Sequence, residues 1–231
     1  MAENAYRVLH VAPVPNPGNG IANYSQQFRQ ALQEFAGIPL TPFPFPPLPG
    51  TPGQCRRALH RQVRDFPVRD FALVHGELGF LSLPEFYVLE AVARYHPGVP
   101  LLLTLHDPPC LVFHPSQFLG LPLPRGQRWQ RWFLERTVGD RLRTHVLSAT
   151  RGIVVLSQEG KVRWSQGGPG RKIPVSVIPQ ISPWPLADLP ATLAVATDRP
   201  AFLFLGNLSP EKGLDTLLAA FRQAPPDGIN S

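Results

Sequence analysis

The chain has 231 residues, 43% of them hydrophobic and 16% charged, with 29 prolines and a net charge of +6 carried mostly by arginine. That length exceeds one typical domain and falls short of two full ones. No apolar run approaches the roughly 18 residues needed to cross a bilayer, and the first residues lack a charged-then-apolar leader.

Residues 6–12 read as a short strand, which Pro13 to Gly20 then break. From Ile21 the pattern becomes helical, with Tyr24, Phe28, Leu32 and Phe35 following at three- and four-residue intervals. Strand, Gly-bearing loop and helix make the first half of a βαβ unit. Residues 41–53 carry so many prolines that they predict a stiff surface loop without regular structure, with a PxxP ligand as the alternative. A short basic helix is expected over 55–68, a strand over 70–75 and a helix over 83–95. Residues 99–105 form a continuous apolar run, as expected of a strand buried on both faces of a parallel sheet. It stops at His106-Asp107-Pro108-Pro109.

Residues 125–147 give the longest helical pattern. It combines six arginines with Trp129, Trp132 and Phe133, and suits either an anionic membrane face or packing into the core. Strands are expected at 151–156 and 172–178, the first closing on Ser157. Residues 182–200 are rich in Pro and turn formers and read as an interdomain linker. Beyond them an apolar strand at 201–205, a loop bearing Asn207 and Lys212 and an amphipathic helix open a second α/β domain. Cys55 and Cys110 show no metal spacing, which fits a reducing cytoplasm.

The alternation predicts an α/β fold, a doubly wound and mostly parallel sheet over 1–181, followed by a stub of a second Rossmann-like domain at 201–231. Ligands of such sheets sit outside the carboxyl ends of the strands. Gly18-Asn19-Gly20 is there either a plain tight turn or, with the free N–H groups of the next helix, an anion site. His106-Asp107 ends a buried strand and either caps it or donates a hydrogen bond and shuttles a proton. His75-Gly76-Glu77 reads as an acid–base pair, a wall of an acceptor pocket or a polar loop, with no third metal ligand evident. Lys212, at a helix start, either holds phosphate or is solvated.

Several stretches match one family in the right order. Val8-Leu9-His10-Val11-Ala12-Pro13 with Gly18-Asn19-Gly20-Ile21-Ala22, Leu103-Thr104-Leu105-His106-Asp107, Ile153-Val154-Val155-Leu156-Ser157 and Val177-Ile178-Pro179 are four of them. The most specific runs from Phe204 through Gly206-Asn207-Leu208-Ser209-Pro210-Glu211-Lys212-Gly213 to Asp215. Together they resemble glycosyltransferase family 4, retaining nucleotide-sugar glycosyltransferases of GT-B architecture.

The resemblance implies two Rossmann-like domains facing a cleft, the first holding the acceptor and the second the nucleotide-diphosphate sugar. It implies no metal and no cofactor beyond that donor. It places Gly18, Asn19 and Gly20 near the donor phosphates with Asn207 and Lys212, and His106 with Asp107 beside the transferred sugar. His75, Glu77, Tyr24 and Ser157 fall on the acceptor side. The acceptor is then a glycan, a lipid or a small molecule, with peripheral membrane contact through 125–143 in a cytoplasmic protein and no nucleic-acid partner.

Three departures qualify this. Asn207 stands where the family commonly has arginine, Gln180 where His or Asn often follows Val-Ile-Pro, and the acidic Glu-x7-Glu element is not reached by Ser231. The 231-residue chain is therefore expected to show little transfer activity by itself. The rival from another class is a non-catalytic α/β module binding a glycan, a partner or a membrane surface. A dehydrogenase-like protein is disfavoured, because no GxGxxG follows the first strand.

Overall fold

The computed structural model describes residues 7–14, 19–48, 51–79, 82–112, 139–168, 172–179 and 214–223. The chain divides into two compact units, Met1–Pro183 and Trp184–Ser231. In the second, the described element is one helix, Leu214–Gln223 (α6 below), which matches the expected amphipathic segment. The predicted strand at 201–205, Asn207 and Lys212 lie outside the described residues, as do Gly18, the linker at 182–200 and residues 125–138 of the basic segment.

The first unit is a Rossmann-like α/β domain built on a six-stranded, all-parallel sheet. In chain order its elements are β1 (Val8–Val11), α1 (Gly20–Ala36), β2 (Leu40–Pro42), α2 (Pro52–Asp65), β3 (Leu73–Leu78), α3 (Leu83–Tyr95), β4 (Leu101–Leu105), α4 (Asp140–Ala149), β5 (Thr150–Val155), α5 (Gln158–Gly167) and β6 (Val175–Val177). The sheet order is β2-β1-β3-β4-β5-β6. The chain leaves β1 toward β2 on one side and returns to β3 on the other. The switch point where such folds open a crevice therefore lies between β1 and β3.

Strand alternation divides the sheet into two unlike faces. Leu9, Val11, Val74, Leu78, Leu103 and Leu105 belong to one buried cluster with Leu59 and Val63 of α2 and Phe86, Leu89 and Val92 of α3. Gly76 lies on this face, and a Cβ there would stand 2.5 Å from Leu89 Cδ1, so only glycine lets α3 approach β3 this closely. On the other face β1 and β3 present His10, His75 and Glu77, and α1 covers them with Tyr24 and Phe28.

Local chemistry sets the helix ends. Asn19 caps α1, its Oδ1 accepting from the N–H groups of Ile21 and Ala22, both at 3.1 Å. Gly37 ends the helix in the left-handed region at φ 65°, and Ile38 N–H returns to Leu32 O at 3.2 Å. Thr51 caps α2, and Pro52 occupies its first turn, where a missing N–H is harmless.

Four expectations need correction. Residues 41–53 do contain regular structure: β2 pairs with β1 in the register Val8↔Leu40, Leu9↔Thr41 and His10↔Pro42, and α2 begins at Pro52. Proline is tolerated in β2 because an edge strand has only one neighbour to serve. β3 runs to Leu78 rather than stopping at His75, because the charge of Glu77 is satisfied inside the sheet. The strands are thus not apolar throughout. The helical pattern of 125–147 is not continuous either. Gly139 has extended backbone and caps α4, which starts afresh at Asp140. Val146 and Leu147 of α4 then enter the core, the packing alternative for this part of the segment. Among the described residues no helix is long and apolar enough to cross a membrane.

Candidate functional site

A buried carboxylate surrounded by three imidazoles occupies the switch point. Glu77 is fully buried in β3, and His10 and His75 are nearly so. His10 and His75 are register partners on adjacent strands, and their rings stack 5.0 Å apart at 4°. His106, just past β4, brings Nε2 to 2.7 Å from Glu77 Oε2. His10 Nε2 and His75 Nε2 stand 3.5 and 3.8 Å from the other oxygen, Oε1. Thr104, paired with Glu77 in register, places Oγ1 2.8 Å from His75 Nε2.

The electrostatics follow from this packing. Burial by itself would raise the Glu77 pKa, but the facing imidazoles of His10, His106 and His75, with His106 in hydrogen-bond contact, outweigh it and hold the carboxyl at about 2. Burial pushes His75 down to about 4; the Glu77 charge opposes this only in part. At neutral pH the carboxylate is ionised and His75 is neutral. An ionised carboxylate only accepts, so His106 Nε2 carries the proton and Nδ1 remains the nitrogen that can meet a ligand. His106 is the member of the cluster that reaches the surface, with 10% of its side chain exposed.

Helix α1 lies over this group. Tyr24 meets His106 edge-on at 5.0 Å, and Phe28 leans on His75 at 5.2 Å. Burial, then the Glu77 charge, push the Tyr24 hydroxyl up to about 12, so at neutral pH it is a donor and never a base. Gly79, just beyond β3, is the meeting point. An added Cβ would lie 2.4 Å from Ile21 Cδ1, 3.0 Å from Asp107 Oδ2 and 3.5 Å from His106 Cβ. The ends of β3 and β4 and the start of α1 thus converge around a glycine that leaves room for them.

The residues singled out in the sequence divide accordingly. Tyr24, His75, Glu77 and His106 come together, with Asp107 exposed just past His106. His75 and Glu77 do not line an open acceptor wall, however, since both lie within the sheet. Asn19 spends its side chain on the α1 cap, which removes two of the N–H groups expected to await an anion. Gly20 has no neighbour within 4 Å of a would-be Cβ and faces open space. Ser157 is the cap of α5, its Oγ accepting from Gly160 N–H at 3.0 Å.

His10 and Thr104 are the residues that sequence reasoning missed, and His10 supplies the third potential ligand that is not evident in the sequence. A histidine inside the apolar run Val8-Leu9-His10-Val11 was the available signal. Its meaning depends on β1 lying beside β3, which is a long-range fact.

A scan against protein-family models and a search of curated proteins return no match.

Proposed function

We propose that the first unit is the acceptor-side lobe of a glycosyltransferase that moves a sugar from a nucleotide-diphosphate sugar to an acceptor hydroxyl, with retention at the anomeric carbon. The observation that carries this reading is His106. It stands at the carboxyl end of β4 beside the switch point, is fixed through Nε2 by Glu77 and is walled by Tyr24. An imidazole held this way offers Nδ1 in one orientation to a sugar hydroxyl, with little reorganisation left for the moment of reaction. The ordered motifs along the chain support the same reading, and so does the parallel topology. The donor diphosphate is assigned to a second lobe, where Lys212 and the N-terminal end of α6 supply positive charge. Departure of the diphosphate builds negative charge, which such groups stabilise.

Two measurements test the proposal: binding to a glycan array, and release of nucleoside diphosphate from a panel of nucleotide sugars. The expected result is glycan binding by the wild-type chain, lost in His106→Ala, with slow or absent diphosphate release by residues 1–231 alone. The reading fails if neither glycan nor nucleotide sugar is bound, or if His106→Ala changes nothing.

A further inference from the structure

We propose that His10 Nε2, His75 Nε2 and Glu77 Oε1 form a binding site for a divalent transition-metal ion of the zinc class, with the other oxygen of Glu77 bridging that ion to His106. This goes beyond the transferase reading, which calls for no metal, and does not rest on it.

Three observations lead here. Two imidazoles and one carboxylate offer ligand atoms that all lie within 4.8 Å of one another, on two adjacent strands of a rigid sheet. Among the described residues neither nitrogen of His10 has a hydrogen-bond partner, and neither has Glu77 Oε1, although both side chains are fully buried. Buried polar atoms in native proteins are nearly always satisfied, and those that are not call for a water or an ion. The spacing then selects the guest. Separations of 3.5 and 3.8 Å to Oε1 are long for hydrogen bonds. They are close to the roughly 3.3–3.5 Å between two ligands of a tetrahedral ion with bonds of about 2.0–2.1 Å.

The donor set points the same way. Imidazole nitrogen with one carboxylate suits Zn²⁺, Co²⁺ or Ni²⁺, whereas Mg²⁺ and Ca²⁺ want oxygen. Glu77 is divided cleanly between two duties. Oε2 is taken by His106 at 2.7 Å, while Oε1 turns toward His10 and His75. Entry of the ion requires two adjustments: His75 Nε2 gives up its 2.8 Å contact with Thr104 Oγ1, and the stacked His10 and His75 rings turn out of their parallel arrangement so that both lone pairs face the ion. Thr104 is therefore a competitor, and its removal should help the ion. In this arrangement the ion joins β1 to β3 at the switch point and stiffens the carboxylate that holds His106.

The untagged full chain, stripped with a chelator, would be titrated with Co²⁺ and then with Zn²⁺. The proposal expects one equivalent of Co²⁺ to bind with the intense visible absorption of a tetrahedral site, Zn²⁺ to displace it, and Mg²⁺ to leave it untouched. The melting temperature should rise by several degrees in excess Zn²⁺. His10→Gln and His75→Gln should each weaken Co²⁺ binding at least about 10-fold while circular dichroism reports a folded protein. Thr104→Val, which leaves all three ligands in place, should bind Co²⁺ as tightly as wild type or more tightly. Failure of folded wild-type protein to take up Co²⁺ or Zn²⁺ overturns the proposal. So does uptake that survives in both His10→Gln and His75→Gln, because the ion would then sit elsewhere, or weaker uptake in Thr104→Val.

Discussion

Replacing Glu85 by glutamine should remove a pH-dependent weakness where α3 packs on α2. Glu85 lies in the first turn of α3 and is only 6% exposed. Burial pushes its carboxyl from an ordinary 4.5 up to about 7. It also reaches the buried Cys55 thiol of α2, which burial first and the Glu85 charge second push up. Between pH 4.5 and 7 the folded protein keeps a proton that the unfolded chain has lost. The stability contributed by the neutral acid is therefore complete below pH 4.5 and is lost as pH rises through 7. A shift of that size corresponds to about 3 kcal/mol, of which about 2–3 kcal/mol falls between pH 5 and pH 8.

Glutamine mimics the protonated acid and does not titrate. Urea unfolding of both proteins at pH 5 and pH 8, under reducing conditions, gives the comparison. Other groups titrate in this range too. Lowering of the His75 pKa, for example, favours the folded state as pH rises from about 4 toward 6.5. Such effects are common to both proteins and cancel in the difference. Glu85→Gln should gain about 2–3 kcal/mol relative to wild type on going from pH 5 to pH 8. A constant offset at the two pH values, within about 0.5 kcal/mol, would show that Glu85 does not carry the proton and refute the argument.

Further outcomes follow from the same geometry. Gly76→Ala should destabilise the domain by about 1–3 kcal/mol by driving a methyl into Leu89. Leu89→Ala should cost about 2–5 kcal/mol alone, yet relieve the clash, so a double-mutant cycle must be non-additive; simple additivity would mean that the two do not touch. Glu90, fully buried on α3, is tied to Arg56, His60 and Arg94. Burial would raise its pKa, but His60 and Arg56 hold it at about 2, so its stabilisation is present above 4.5 and is lost as pH falls toward 2. Glu90→Gln should flatten that acid limb. At neutral pH it should cost about 2 kcal/mol, less than breaking a fully buried pair, because Arg56 and Arg94 stay 30% and 46% exposed. Asn19→Ala removes both cap bonds and should weaken α1 by about 1 kcal/mol. Hydrogen exchange in the first turn of α1 would report it, and unchanged protection there would count against the cap.

Much of this was legible from residue order alone. The helix expected over 83–95 coincides with α3, Leu83–Tyr95, where Pro84 stands in the first turn and an apolar face continues to Tyr95. The apolar run ending at Leu105 marked β4, and βαβ alternation implied a parallel sheet. These are local signals: periodicity, caps and breakers act within a few residues and need no knowledge of the rest of the chain. Where the reading failed, a distant neighbour decided. Pro42 sits in a strand because β1 lies beside it on one side only. Glu77 stays in β3 because His106, 29 residues away, supplies the hydrogen bond that a loop would have taken from water. Asn19 and Ser157 stood at strand ends like site residues, but both were claimed by helix ends. Alternation along β3 puts His75 and Glu77 on one face, and that pair is visible in the sequence. The arrival of His10 and His106 belongs to the tertiary structure: strand order and register bring these two polar positions, from β1 and just past β4, onto the carboxylate, and no pattern within a single strand encodes its neighbour.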